Sequence, residues 1–271
     1  MVMNAKPIGV FDSGLGGLTG VRRLRALLPE EDIVFLGDTG RVPYGNRSIE
    51  TLISYAKQDL SFLLRFGVKA VLIACGTVSS VAMDQLGDAP VPLCGVVKPA
   101  AAKAAALSRS GRVGVIATTA AIQSGAYARA LQALRPDCRV TAQACPLLVP
   151  LIENGRVQPG DRLLELAVEE YLAPLKAAEV DTLILGCTHY PLIEAVIAKA
   201  MGPQVRLVDV AAEAVDSLRA QLADAGQLAA RPGGGSLSCW VTDSTDQFSR
   251  LASLFISEPG GIRVQRTVIG P

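Results

Sequence analysis

Two cysteines stand where an acid–base group is easily built. Cys75, in VLIACGTVSS (71–80), and Cys187, in TLILGCTHYP (182–191), each close an apolar run and open on small or hydroxyl residues ahead of a helical segment. A thiol beside the free N–H groups of a helix start is favoured as thiolate by the dipole and by hydrogen bonds, so either residue can serve as acid, base or nucleophile. A free cysteine is equally a small core hydrophobe, but two in matching positions weigh against that reading. Cys94, Cys138, Cys145 and Cys239 lie in or beside strand-like runs and read as structural, Cys145 being set apart by the Pro146 that follows it. No C-x-x-C pair occurs, and His189 is the single histidine. That excludes a metal site of two or three imidazoles and leaves no zinc-thiolate pattern.

Three further loops carry polar groups. FDSGLGGLTG (11–20) ends a strand on Asp12-Ser13 and opens a glycine-rich turn that matches neither a phosphate-binding loop nor a dinucleotide fingerprint. Its backbone N–H groups suit a small anion such as a carboxylate, and the Asp12 carboxylate suits an ammonium or a proton. GDTGRVPYGNRS (37–48) sets Pro43, Tyr44 and Gly45 in a rigid turn before a helix capped by Ser48. Glu153, in CPLLVPLIENG, is an acid in an apolar, proline-bracketed loop, a setting that raises a carboxyl pKa unless the side chain points to water.

The elements that must hold these loops alternate between strand and helix. Apolar runs at about 7–11, 32–36, 69–74, 91–97, 112–117, 138–144, 181–186 and 204–208, with weaker ones at 237–242 and 262–268, are continuous rather than alternating. Such runs suit strands covered on both faces. The clearest helix is 48–66, with one face built from Ile49, Leu52, Ile53, Ala56, Leu60, Leu63 and Leu64. The pattern predicts an α/β protein with mainly parallel sheets. GQLAARPGGGS (226–236) reads as a flexible linker. A weak internal echo pairs IGVFDSGLGG (8–17) with VGVIATTAAI (113–122), and LIACGTVSS (72–80) with LILGCTHYP (183–191), which suggests two halves of like topology.

Composition excludes other classes. In 271 residues, 26 Lys+Arg balance 25 Asp+Glu and aromatics are 4%. No basic stripe or stacking platform for nucleic acid emerges. No uninterrupted apolar run approaches the ~18 residues of a membrane span, and the first residues enter a strand-like segment without a signal-peptide pattern. The expectation is a cytoplasmic protein with free thiols.

Taken together, FDSGLGG, GDTGRVPYG, ACGTVSS, CPLLVPLIENG and GCTHYPL resemble, in order and spacing, the motifs of glutamate racemases in the aspartate/glutamate racemase superfamily. The resemblance spans residues 8 to about 210 and implies a cofactor-independent, two-base amino-acid racemase that supplies D-glutamate for peptidoglycan. It also implies two similar α/β domains related by a pseudo-twofold, a cleft between them with one catalytic cysteine from each side, and a homodimer. On this reading the first domain comprises 1–97 with 208–271, and the second 98–207. Cys187 would deprotonate L-glutamate and Cys75 D-glutamate. Asp12 and His189 would flank the thiols and help to set their protonation, with Glu153 supporting His189. Asp12, Ser13, Pro43, Tyr44, Gly45, Gly76, Thr77, Thr119 and Thr188 would form the substrate cradle. No lysine sits in a context that suggests a pyridoxal Schiff base, in line with a reaction that uses no cofactor.

One residue departs from the pattern. The family usually has Asn after the first cysteine, its amide touching substrate, where this chain has Gly76; a water would be expected to take its place. The departure leaves the thiol chemistry intact and makes aspartate the alternative substrate. A Cys-His hydrolase built on Cys187 and His189 would leave the Cys75 loop without a role. A non-catalytic anion-binding module is the remaining reading of the glycine-rich loop.

Overall fold

The computed structural model describes residues 6–257 and 262–270. Its ten strands form two sheets in which every neighbouring pair runs parallel. The first contains β1 (Ile8–Asp12), β2 (Ile33–Gly37), β3 (Ala70–Ile73), β4 (Leu93–Gly95), β9 (Leu237–Val241) and β10 (Val264–Arg266), ordered β10-β9-β2-β1-β3-β4. The second contains β5 (Arg112–Ala117), β6 (Arg139–Ala144), β7 (Thr182–Leu185) and β8 (Arg206–Asp209), ordered β6-β5-β7-β8. All ten predicted strands are present. The weakest in burial are the edge strands β10 and β6, neither of which has a fully buried residue.

The internal echo is real in the topology. The order β2-β1-β3-β4 repeats as β6-β5-β7-β8, so β1 corresponds to β5 and β3 to β7. In each half the chain leaves the central strand in one direction and returns on its other side, which opens a crevice at the carboxyl ends of the central pair. Asp12 ends β1 and Cys75 follows β3; Thr118 and Cys187 follow β5 and β7. The four loops with chemistry on them therefore occupy the two switch points.

Helices Val97–Leu107 and Val210–Asp224 pack on each other and carry the chain between the two sheets. The alanine-rich face of the first (Ala100, Ala101, Ala104) permits close approach, and both helices join one apolar core that reaches under both sheets. A smaller core lies beneath helix Ile49–Leu64. That helix begins as expected, Ser48 Oγ accepting from Thr51 N at 3.3 Å. Its inward face differs from the expected one: Ile49 is exposed, and Asp59 is buried among the apolar residues.

Two expectations change. The stretch 226–236 is pinned rather than flexible: Arg25 donates to Gly235 O at 2.7 Å, Ala229 N to Glu31 Oε1 at 2.8 Å, and Ser236 N to Asp32 Oδ1 at 2.7 Å. Composition alone hides these partners, because they come from residues some 200 positions earlier. The expected domain boundary at 207/208 falls inside β8, which pairs with β7 through Asp209. We propose that the second domain runs from 98 to 209 and the first takes the remainder. Among the described residues no helix is long and apolar enough to cross a membrane.

Candidate active site

Asp12 ends β1 with its carboxylate buried, and the next residue folds back on it: Ser13 N and Ser13 Oγ donate to Asp12 Oδ1 at 2.6 and 3.1 Å. Cys75 Sγ donates to Ser13 Oγ at 3.6 Å, which makes a chain from sulfur through hydroxyl to carboxylate. From the other sheet, Thr188 Oγ1 donates to Asp12 Oδ2 at 3.2 Å. Burial raises the pKa of Asp12, opposed by the charge of His189 and by its bonds from Ser13 and Cys75.

Cys75 stands at the start of helix Gly76–Val81, as expected, and the N–H of Val78 does pull its pKa down. Burial and the neighbouring Asp12 charge outweigh that pull and hold the thiol well above its ordinary value. The expectation that the helix start alone would favour a thiolate at 75 is thus overturned by desolvation.

Cys187 has a different partner. His189 Nδ1 lies 3.7 Å from its sulfur, and His189 Nε2 lies 3.0 Å from Glu153 Oε1. Burial alone would discharge the imidazole, but the bonds to Cys187 and Glu153 and their charges prevail, and its pKa is pushed up to about 10. Glu153 keeps side-chain access to solvent while the imidazole does not, so the pair spans the wall of the site. Phe255 packs edge-on against the imidazole, with ring centroids 5.3 Å apart.

These groups surround one cavity of about 370 Å³, within the range typical of small-molecule sites. Cys75, Cys187, Asp12, His189 and Glu153 line it, as do Ser13, Pro43, Tyr44, Gly45, Gly76, Thr77, Thr119 and Thr188. Every residue nominated from the sequence therefore reaches the same space. The two halves are joined around it by Thr77 Oγ1 and Thr118 Oγ1, 2.8 Å apart, and by the Thr188–Asp12 bond.

The glycines explain how the loops come so close. A Cβ at Gly16 would lie 2.2 Å from Thr188 Oγ1 and 2.5 Å from His189 Nδ1. At Gly76 it would lie 2.3 Å from the Gly186 carbonyl oxygen. The first atom of any side chain at 76 would thus meet backbone.

Sequence reasoning missed several lining residues. Thr118, which caps helix Thr119–Gln123 by accepting from Ala121 N, contributes its hydroxyl beside the nominated Thr119. Cys145, read as structural, also lines the cavity; burial and the nearby Cys187 push its thiol up to about 12. Its place after β6, another strand carboxyl end, was the available signal. Cys94 bonds to Ala214 O at 3.4 Å within the core, and among the described residues none of the six cysteines is in a disulfide. Among the described residues no group of three or more His, Cys, Asp or Glu is arranged to hold a metal ion.

The sequence profile described as Asp/Glu/Hydantoin racemase matches residues 21–218. A glutamate racemase of Desulforudis audaxviator is 44% identical over 256 residues, covering 92% of this chain and 93% of its own. The crystal structure of a glutamate racemase from Bacillus anthracis superposes with a TM-score of 0.91 at 34% identity, covering 97% of this chain and 98% of that one. A glutamate racemase from Francisella tularensis, solved in complex with D-glutamate, gives 0.90 at 35% identity, with 99% and 98% covered. A profile match over most of the chain, together with relatives aligned almost end to end, places this chain in the Asp/Glu/Hydantoin racemase family.

Proposed function

We propose that the protein interconverts L- and D-glutamate by moving a proton at Cα between two thiols, without a cofactor. The observation that carries this reading is that Cys75 and Cys187 occupy equivalent positions in the two repeats and open on one cavity from different sheets. Inverting a stereocentre through a planar carbanion needs a base on one face and an acid on the other. Two related halves supply the two faces. Glutamate is favoured over aspartate by kinship with glutamate racemases that share over 40% of their residues with this chain.

The two thiols are prepared differently. An imidazolium at 189, held by Glu153, is the partner a thiolate at 187 needs; Cys75 rests as the thiol. In the L-to-D direction the Cys187 thiolate takes the Cα proton, and Cys75 gives its own to the opposite face. In the reverse direction Cys75 must first lose its proton, for which the Cys75–Ser13–Asp12 chain gives a path to a carboxylate whose pKa is raised. Cys187 must first take one from the His189 imidazolium so that it can donate to the opposite face. Hydroxyls of Ser13, Thr77, Thr118, Thr119 and Thr188, with the turn at Pro43-Tyr44-Gly45, would bind the carboxylates and ammonium. By the same kinship the product would serve peptidoglycan synthesis in the cytoplasm, and the enzyme would act as a homodimer.

Proton NMR of L- and D-glutamate in D2O with the enzyme alone tests the assignment. Loss of the α-proton signal from both enantiomers supports it. Exchange of aspartate in place of glutamate would move the substrate, and thioester or amide turnover without exchange would replace the reaction.

A further inference from the structure

Behind the turn that carries Pro43, Tyr44 and Gly45 lie two buried carboxylates and a buried phenol, gathered on one partly exposed guanidinium. Asp38 and Asp59 have no solvent access. Arg41 binds both, through Nε to Asp38 and through a terminal nitrogen to Asp59 Oδ1 at 2.8 Å. Its guanidinium also stacks 4.0 Å from the centre of the Tyr55 ring and donates to Gln58. Tyr44 OH touches both acids, Asp38 Oδ2 and Asp59 Oδ2, the second at 3.2 Å.

Counting hydrogens distinguishes the two acids. Tyr44 has a single hydroxyl hydrogen, and its closer partner is Asp38. Asp38 is then fully supplied, because Arg41 reaches the same oxygen and Thr242 Oγ1 donates to the other at 2.8 Å. Thr242 has that hydrogen to give, since its oxygen accepts from Gly40 N at 2.8 Å. Among the described residues Asp59 otherwise receives only Arg41, and its second oxygen faces a phenol oxygen whose hydrogen is already committed. Two ionised, fully buried carboxylates on one partly exposed guanidinium would also leave a net negative charge in a site largely withdrawn from water.

We propose that Asp59 is a positioning residue for the substrate cradle: it holds a proton, donates it to Tyr44 Oη, and so locks the 43–46 turn against the cleft through the relay Asp59–Tyr44–Asp38. The inference rests on the cradle role given above to Pro43, Tyr44 and Gly45. Burial, followed by the facing Asp38 charge, moves the Asp59 pKa well upward, in agreement with the hydrogen count. The turn is also where the halves meet, for a Cβ on Gly45 would lie 3.2 Å from Thr118 Cβ. Loosening Tyr44 would therefore loosen one wall of the cavity and its contact with the other half. The thiols, held by Ser13 and His189, would stay in place.

The test compares Asp59→Asn with Asp59→Leu. The amide of Asn can donate to Tyr44 and accept from Arg41 as a neutral acid does, whereas Leu can do neither. The expected result is a KM for both glutamate enantiomers within about twofold of wild type for Asp59→Asn, and about tenfold higher for Asp59→Leu with kcat changed less. Amide hydrogen exchange over 41–47 should be faster in Asp59→Leu only. The infrared difference between wild type and Asp59→Asn at neutral pH should contain a protonated carboxylic-acid band. Equal damage from both substitutions, or no such band, would overturn the protonated form; wild-type KM and exchange in Asp59→Leu would overturn the positioning role. If Asp59→Leu does not fold, Tyr44→Phe replaces it, with the same loosening of 41–47 expected. A wild-type enzyme inactive on glutamate would defeat the proposed reaction, while the hydrogen exchange and the infrared band would still decide this one.

Discussion

Gly76 and Gly186 meet backbone to backbone across the cleft, so close that a Cβ on Gly76 would come within 2.3 Å of the Gly186 carbonyl oxygen. The obstacle is main chain at the residue before Cys187 and cannot swing aside as a side-chain tip would. Gly76→Ala should therefore push the Cys187 loop away from the Cys75 loop. Since a displacement of about 1 Å can cost on the order of a hundredfold in rate, we expect kcat to fall by about that factor in both directions with a folded protein by circular dichroism. Gly76→Asn should be no better. Wild-type kcat in either variant would show that the loops do not need this approach.

The His189–Glu153 pair sets a pH limit. A histidine pKa raised to about 10 keeps the imidazolium beside Cys187 through neutral pH and loses it as pH rises through that value. The alkaline limb of kcat/KM for L-glutamate, which reports the free enzyme, should contain this ionisation. Glu153→Gln removes one of the groups that raise the pKa, so the limb should move to lower pH. The stability linkage has the same sign. Because the folded pKa lies above the unfolded value of ~6.5, the contribution is complete below that pH and disappears as pH rises toward 10. Denaturant titrations across this range check it; an unmoved limb in Glu153→Gln would contradict the coupling.

Replacing either thiol should cut turnover in both directions, because in the proposed reaction each inversion needs one sulfur as base and the other as acid. Cys75→Ser and Cys187→Ser should each lower racemisation by about 10²–10⁴-fold, measured by optical rotation from either enantiomer. A variant that remained near wild-type rate would remove that residue from the mechanism.

Lys69 and Glu31 form a buried pair, 2.5 Å apart with both side chains 1% exposed, at the base of the loop 226–236. Lys69 also donates to Gln227 O at 2.7 Å. Lys69→Met leaves the Glu31 carboxylate buried without its cation, and should destabilise the fold by about 3 kcal/mol. Urea unfolding measures the loss, and hydrogen exchange should show the loop loosened.

The strands and the site were legible for one physical reason. Parallel strands covered on both faces must be continuously apolar, so the polar residues that end them, Asp12, Cys75 and Cys187, stand out in the sequence and fall at the ligand-binding edge of the sheets. What could not be read depends on packing between distant segments. Asp59 looks like an ordinary polar residue of a helix until Asp38, Arg41 and Tyr44 are folded around it. The loop 226–236 looks free until Arg25, Glu31 and Asp32 bind it. At Cys75 the helix start was visible, but burial and the Asp12 charge, which reverse its effect, were not.

Isotope incorporation in the first turnovers tests the two-thiol account most directly. In D2O, with L-glutamate as substrate and the reaction stopped early, the D-glutamate formed should carry deuterium at Cα while the remaining L-glutamate keeps its original hydrogen, because the incoming proton comes from a second group equilibrated with solvent. D-glutamate that retains the substrate's own α-hydrogen, or L-glutamate that washes out as fast as product forms, would mean that one group serves both faces.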